Sequence, residues 1–165
     1  MLVGSVVAEV VNANRPKAVD FSARTIDGKD WSLAEHRGKR PVLLSFFATW
    51  CSPCQEEFPH LLELRKKYAD RGLQVVLLTR EDEKTMRDAG LDRAPMTVLI
   101  QADAAFEGYK VDSIPRTLFF EADGGLAMDL AGFDMAGLKQ IEKRLEKLPP
   151  PATALVKPLR TAAAK

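Results

Sequence analysis

The sequence contains few of the residues that cross-link a small domain or bind a metal. Among its 165 residues there are two cysteines and two histidines. Only two residues separate Cys51 from Cys54, so a bond between them closes no large loop, and we expect no structural disulfide framework. Zinc takes four ligands, usually Cys or His, and His36 and His60 lack finger-like spacing to the cysteines. We therefore expect no metal and no other cofactor, which leaves the thiols as a redox pair or as incidental buried residues.

The sequence also has no large excess of positive or negative charge and no long apolar segment. The formal net charge is +1, and without a concentrated basic face we expect no nucleic-acid partner. No apolar run approaches the roughly 20 residues that a membrane span requires. The first residues, 1–7, lack the basic start and the longer apolar stretch of a secretory signal. Two expectations stay open: a cytoplasmic protein, or an exported one whose signal or anchor has been removed.

Short apolar runs alternate with helical patterns along most of the chain. Hydrophobic residues make up 46% of the sequence, enough to bury a sizeable core without cross-links. The patterns predict strands at 5–11, 21–25, 30–33, 42–47, 73–79, 96–100, 117–120 and 126–130. They predict helices at 52–68, 81–89, 104–109 and 134–148. This alternation indicates an α/β layer fold, and the two closing strands around a tight turn indicate a mixed sheet with a hairpin at one edge.

Composition divides the chain into three segments. Residues 1–17 are expected to form an N-terminal extension and residues 18–148 a single domain. Near the start of that domain, Asp27-Gly28 between two strand patterns predicts a β-hairpin. A run of prolines ends the periodic pattern, and we expect the Pro- and Ala-rich tail over 149–165 to be disordered.

The two cysteines lie where an apolar strand pattern changes to a helical one, in the run Trp50-Cys51-Ser52-Pro53-Cys54. Thiol–disulfide exchange needs a thiolate that attacks a disulfide and a second thiol that resolves the mixed intermediate. At a helix N-terminus, free N–H groups and the helix dipole favour the thiolate of Cys51. Pro53 suits the first helical turn, because its missing N–H costs nothing there. Cys54 is then the more buried, resolving thiol, and the pair is predicted to be a redox centre.

On these residues the chain resembles the thioredoxin superfamily, and more narrowly its extracytoplasmic TlpA/ResA-type branch. The run 42–54 resembles the active-site strand and helix start, and Cys54-Gln55-Glu56-Glu57-Phe58-Pro59 resembles the CxxExP continuation of the branch. The Asp27-Gly28 hairpin resembles the branch's N-terminal extension. The resemblance covers residues 18–147. It implies a thioredoxin fold, with a central mixed β-sheet flanked by helices and an N-terminal β-hairpin extension.

The resemblance also implies roles for residues around the cysteines. Pro115 matches the superfamily's cis-proline, which faces the cysteines and leaves the backbone of Ile114 free to pair with a substrate strand. Trp50 packs beside the cysteines in the family, and its other interpretation is an aromatic residue at the rim. Ser52-Pro53, between the cysteines, belongs to the residues that tune the reduction potential.

Among the nearby positions, Glu57 and Arg116 allow two interpretations each. Glu57 lies one turn beyond Cys54; in the branch a Glu here lies near the active site and is linked to thiol pKa and substrate choice, and otherwise it is a solvated first-turn residue. Glu56 is expected to be solvated. Ser45 stands where thioredoxins carry a buried Asp and cannot act as that base, so Glu57 or water must accept the Cys54 proton; its own expected role is a hydrogen-bonded core hydroxyl. Arg116 stands where the family often has threonine, and it either places a charge beside the substrate groove or is a solvated strand-edge residue.

The leading functional hypothesis is a thiol–disulfide oxidoreductase that exchanges the Cys51–Cys54 pair with protein substrates, as a reductant. The resemblance implies partners such as apocytochrome c cysteines in cytochrome c biogenesis, an upstream electron donor, a monomer and an extracytoplasmic location, with a cytoplasmic one as the alternative. A peroxiredoxin-like peroxidase is the second hypothesis, although residues 47–51 lack the proline of a Pro-x-x-x-Thr/Ser-x-x-Cys setting. A non-enzymatic redox-sensing domain is the third, and it predicts no turnover of insulin or DTNB.

Overall fold

The apolar run in the middle of the chain forms an inner strand of the seven-stranded sheet found within residues 15–150. A computed structural model of the chain describes residues 15–150. The strand predicted at 5–11 lies outside these residues, as do most of the extension over 1–17 and most of the tail over 149–165. Among the described residues, no helix is long and apolar enough to cross a bilayer.

Within residues 15–150, seven strands and four helices occur where the sequence predicts them, with ends that differ from the predicted ones by at most three residues. The strands are β1 (Ser22–Thr25), β2 (Asp30–Ser32), β3 (Val42–Phe46), β4 (Gln74–Leu78), β5 (Thr97–Ile100), β6 (Arg116–Phe120) and β7 (Leu126–Ala131). The helices are α1 (Ser52–Tyr68), α2 (Glu83–Asp88), α3 (Asp103–Gly108) and α4 (Met135–Leu145). The predicted α/β class is therefore confirmed.

The strand β3 lies inside the sheet, whose order is β2-β1-β5-β4-β3-β6-β7. It pairs in parallel with β4 and antiparallel with β6, and every one of its residues is buried. A strand covered on both faces needs apolar residues at successive positions, which explains the nearly unbroken apolar run. The Asp27-Gly28 hairpin joins β1 to β2, and β1 extends the same sheet by pairing antiparallel with β5. At the other edge, β7 completes the predicted closing hairpin with β6.

The sheet separates two apolar cores, because successive side chains of a strand point to opposite faces. In β3, Val42, Leu44 and Phe46 pack in the core that includes residues of α3. Leu43 packs in the other core, together with residues of α1 and α4. By the same alternation Ser45 lies on the Leu43 face, which places a hydroxyl of this inner strand under the helix that begins at the cysteines.

Candidate active site

The two cysteines lie at the N-terminus of α1, just beyond the carboxyl end of β3. Cys51 is the N-cap residue, and its Sγ accepts a hydrogen bond from the Cys54 N–H at 3.3 Å. The two sulfurs form a disulfide, so the structure shows the oxidised protein. Cys51 is 5% exposed and Cys54 is 1% exposed, which makes Cys51 the more accessible sulfur. Once the bond is reduced, the Cys54 N–H and the helix dipole are positioned to stabilise a thiolate on Cys51.

The residues next to the cysteines form an exposed rim. Pro53 lies in the first turn of α1, as predicted, and both Ser52 and Pro53 are exposed. Trp50 is 73% exposed, so its position is that of a rim aromatic. A large apolar side chain therefore stands in solvent beside the disulfide.

Glu57 is buried under the sheet, one turn of α1 beyond Cys54. Its side chain accepts hydrogen bonds from the Ser45 hydroxyl at 3.1 Å and from the Thr117 hydroxyl at 2.9 Å. The interpretation of Glu57 as a solvated residue is therefore wrong, whereas Glu56 is exposed as expected. Burial raises the pKa of the Glu57 carboxyl above its usual range, although the two hydrogen bonds act in the opposite direction. Residues three apart share a helix face, so this carboxyl lies on the Cys54 side of α1.

Thr117 is a site residue that the sequence analysis did not identify. It is fully buried, and in the sheet it lies directly opposite Ser45. A sequence signal did exist, because each of these residues is the one hydroxyl among the apolar side chains of its strand. Two hydroxyls on paired central strands thus hold the carboxyl of Glu57 from α1.

A second acidic residue, Glu81, holds the loop that leads to Cys51. Its carboxylate accepts hydrogen bonds from the Thr49 N–H at 2.8 Å and from the Thr49 hydroxyl at 2.6 Å. The buried Thr79 hydroxyl donates to it at 3.1 Å. From the other side, the Gln55 amide donates to the Thr49 carbonyl at 2.6 Å. Both backbone polar groups of Thr49 are therefore fixed by side chains outside the Cys-x-x-Cys motif.

Replacing Glu81 with alanine is expected to lower the free energy of unfolding of the oxidised protein by about 2 kcal/mol, because three donors lose a charged acceptor. Urea unfolding measures the change. Glu83→Ala is the matched control, since Glu83 is an exposed glutamate that pairs with Arg87 on the surface of α2, where such pairs contribute little. Equal losses in the two variants would contradict the role assigned to Glu81.

The segment before β6 carries the residues that the resemblance places opposite the cysteines. The Ile114–Pro115 peptide bond is cis, the isomer that the resemblance implies. Within residues 15–150, neither the N–H nor the carbonyl oxygen of Ile114 makes a backbone hydrogen bond. The Ile114 side chain packs against the core that contains both cysteines. A cavity of about 270 Å³ opens here, lined mainly by apolar residues that include Ile114, Trp50, Phe106 and Val111.

Arg116 does not fit its interpretation as a solvated strand-edge residue. Its side chain is 25% exposed and forms an ion pair with Asp129 at 2.8 Å. The guanidinium is therefore held by a carboxylate and is not freely solvated.

The arrangement supplies the groups that two-step thiol–disulfide exchange needs. An accessible sulfur lies at a helix N-terminus, a second sulfur lies one turn further, and a buried carboxyl follows on the same face of the helix. Among residues 15–150, no three His, Cys, Asp or Glu side chains lie close enough together to hold a metal ion.

Comparison with known proteins places these features in a family context. The family model described as the AhpC/TSA family matches residues 15–158. The thioredoxin-like protein YneN of Bacillus subtilis (strain 168) is 36% identical over 134 residues, which cover 79% of this chain and 77% of YneN. The thiol-disulfide oxidoreductase ResA of Geobacillus kaustophilus (strain HTA426) is 28% identical over 136 residues, which cover 81% of this chain and 76% of that protein.

Solved structures share the fold. A putative thiol:disulfide interchange protein DsbE from Chlorobium tepidum superposes with a TM-score of 0.70 at 26% identity, over 80% of this chain and 94% of that one. The pneumococcal exposed lipoprotein thioredoxin Etrx1 from Streptococcus pneumoniae strain TIGR4 superposes with a TM-score of 0.64 at 28% identity, over 79% of this chain and all of that one. Both similarities cover about four fifths of this chain.

Proposed function

This chain belongs to the AhpC/TSA family, and we propose that it uses Cys51 and Cys54 to reduce disulfides of proteins outside the cytoplasm. Like the ResA proteins, it is a thiol–disulfide oxidoreductase with a thioredoxin fold, and it acts on protein thiols. The observation that carries the proposal is the disulfide at the N-terminus of α1, in which Cys51 is the N-cap and the more accessible sulfur.

In the proposed reaction the reduced protein supplies two electrons. The Cys51 thiolate attacks one sulfur of the substrate disulfide, forming a mixed disulfide and releasing the other substrate sulfur as a thiolate. The Cys54 thiolate then attacks Cys51, which forms the intramolecular disulfide seen in the structure and releases the second substrate thiolate. The substrate gains both electrons, and a dithiol donor returns two to the Cys51–Cys54 bond to complete the cycle.

Glu57 is proposed to accept the proton of the Cys54 thiol before this second step. Ser45 cannot take that proton near neutral pH, because a hydroxyl is far too weak a base. A carboxyl whose pKa is raised by burial is a stronger base than a solvated one, which suits it to receive a proton from a thiol. Its position three residues after Cys54, on the same side of α1, supports this role.

The substrate is proposed to bind as an extended strand along Ile114. An unpaired backbone N–H and carbonyl are the groups that accept an added strand, and those of Ile114 are unpaired by the backbone within residues 15–150. The exposed Trp50 and the apolar cavity beside Ile114 would contact the substrate side chains near its disulfide.

The cellular location of the protein and the direction of its electron transfer are proposed from its relatives and from the resemblance. Etrx1 is described as an exposed lipoprotein, which supports an extracytoplasmic site of action. The TlpA/ResA-type branch implies the reductive direction, with cysteine pairs such as those of apocytochrome c as one substrate class and with a monomeric enzyme.

Turnover of a protein disulfide tests the proposed function. The protein, cycled with excess dithiol, is expected to reduce insulin catalytically, and its equilibrium with glutathione is expected to give a reducing potential, near thioredoxin's end of the known range of roughly −270 to −120 mV. No turnover with any donor, despite a reducible Cys51–Cys54 bond, would favour a sensor. Rapid stoichiometric consumption of peroxide by Cys51 in Cys54→Ser would favour a peroxidase.

Alkylation rates test the roles of the two sulfurs. In the reduced protein Cys51 is expected to react with iodoacetamide at least about tenfold faster than Cys54, because it is more accessible and its thiolate is stabilised by the helix N-terminus. Peptide mass spectrometry after timed labelling measures both rates. Equal rates, or faster labelling of Cys54, would reverse the assignment.

A further inference from the structure

The guanidinium of Arg116 contacts two separate segments of the chain. Its Nε and Nη2 atoms donate to the two carboxylate oxygens of Asp129 in β7, at 3.0 and 2.8 Å. Its Nη1 atom donates to the carbonyl oxygens of Tyr109 and Lys110, at 3.1 and 3.3 Å. Four of its five N–H groups are therefore bound within the protein.

The two carbonyls lie where α3 ends. Tyr109 is the C-cap residue of that helix, and Lys110 has a left-handed backbone with φ of 52°. The last carbonyls of a helix have no partner inside it, and a positive charge is favoured beside them. Arg116 supplies both the donors and the charge.

The same guanidinium is anchored to the sheet. Arg116 is the first residue of β6, and Asp129 lies on the neighbouring strand β7. The hydrogen bond from Arg116 to the Lys110 carbonyl thus closes the intervening chain into a ring. Ile114 and the cis peptide bond lie inside that ring.

We propose that Arg116 is a positioning residue, which clamps the segment 110–116 so that the backbone of Ile114 is held ready for a substrate strand. This inference rests on the proposed function, because it assigns a task to the segment along which the substrate binds. In this role the positive charge of Arg116 is neutralised by Asp129 and by the carbonyls at the end of α3. It therefore does not attract acidic substrates.

The geometry requires arginine. A planar guanidinium binds a carboxylate through two parallel hydrogen bonds and still directs its other amino group elsewhere, whereas a lysine ammonium is a point donor. Lysine at position 116 therefore keeps the charge and loses the bridge between Asp129 and the two carbonyls. A threonine, common here in the family, reaches none of them.

The test compares a protein disulfide with a small one. Arg116→Lys is expected to lower kcat/KM for insulin about tenfold, mainly through KM, since an unclamped segment must be ordered when the substrate strand binds. The rate with DTNB, which is too small to pair with the Ile114 backbone, is expected to stay within about twofold. Asp129→Asn leaves the hydrogen bonds to the two carbonyls in place. It is expected to lower kcat/KM for insulin less than Arg116→Lys does, and to leave the DTNB rate unchanged.

Arg144→Lys is the matched control. Arg144 lies on α4 and pairs with Glu121 at 2.8 Å, so this change weakens a similar arginine–carboxylate pair without touching the segment 110–116. It is expected to leave both rates unchanged.

Two results would contradict the proposed role of Arg116. One is that Arg116→Lys reduces insulin at the rate of the unaltered protein; the other is that its rates with insulin and with DTNB fall equally. If Arg116→Lys does not fold, Asp129→Asn carries the test, and an unchanged insulin rate in that variant overturns the proposal. Failure of the unaltered protein to reduce insulin at all would count against the proposed function, and is thereby distinguished from failure of the clamp.

Discussion

Replacing Cys54 with serine is expected to produce a protein that captures a disulfide substrate and cannot release it. Cys51 keeps its position as the N-cap of α1 and still attacks, but no second thiolate is present to break the mixed disulfide. Turnover of insulin should fall by roughly 10³-fold or more, the scale seen when a nucleophile is removed from an enzyme. Non-reducing electrophoresis and mass spectrometry would detect the covalent adduct at Cys51.

The reverse substitution, Cys51→Ser, is the control for this trap. Cys54 is 1% exposed, so it should form almost no adduct, and turnover should be lost to the same extent. Adduct formation in Cys51→Ser comparable to that in Cys54→Ser would show that the buried sulfur is the attacking one.

Replacing Glu57 with glutamine is expected to slow resolution of the mixed disulfide about 10²-fold at neutral pH. An amide retains the size of the side chain and can bond to the Ser45 and Thr117 hydroxyls, but it cannot accept a proton from Cys54. Single-turnover rates against pH should lose the rise that ionisation of Glu57 causes in the unaltered protein. The control is Glu56→Gln, an exposed neighbour on the same turn. A pH profile unchanged by Glu57→Gln would remove the carboxyl from the reaction.

The same variant should also alter how stability depends on pH. Because burial raises the pKa of Glu57 in the folded state, the unfolded chain loses this proton first as pH rises. Stability from the protonated carboxyl is complete below the ordinary glutamate pKa and is lost as pH rises through the folded-state pKa. Glu57→Gln has no such loss, so its free energy of unfolding relative to the unaltered protein should increase across this window and then level off. Urea unfolding of the oxidised proteins at a series of pH values measures the difference.

The redox pair and the elements that carry it could be predicted from the sequence, because their signals are local. The apolar run of β3, the change to a helical pattern at Cys51 and the proline in the first turn all lie within one short stretch. The resemblance then implied the proline before β6. Neighbours close in sequence were sufficient for the redox pair and its elements, whereas the cis isomer at Pro115 was implied by the resemblance.

The sequence could not decide whether Glu57 is buried or solvated, because one of the residues that surround its carboxyl is distant in sequence. Thr117 lies 60 residues further along the chain, and it meets the carboxyl only through the pairing of β6 with β3. The contact between Thr49 and Glu81, 32 residues apart, is hidden for the same reason. The partners of Arg116 are close in sequence. Its hydrogen bonds to the two carbonyls, however, depend on the left-handed backbone at Lys110, which the residue pattern did not predict.

The chain's two tryptophans occupy opposite environments, and this gives the protein a built-in pair of optical probes. Trp50 stands in water one residue before the disulfide, whereas Trp31 is 7% exposed in the edge strand β2. Emission from the first therefore reports events at the sulfurs and contact with a bound protein. Emission from the second reports whether the far side of the sheet is intact, so reaction and unfolding can be followed separately in one unlabelled sample.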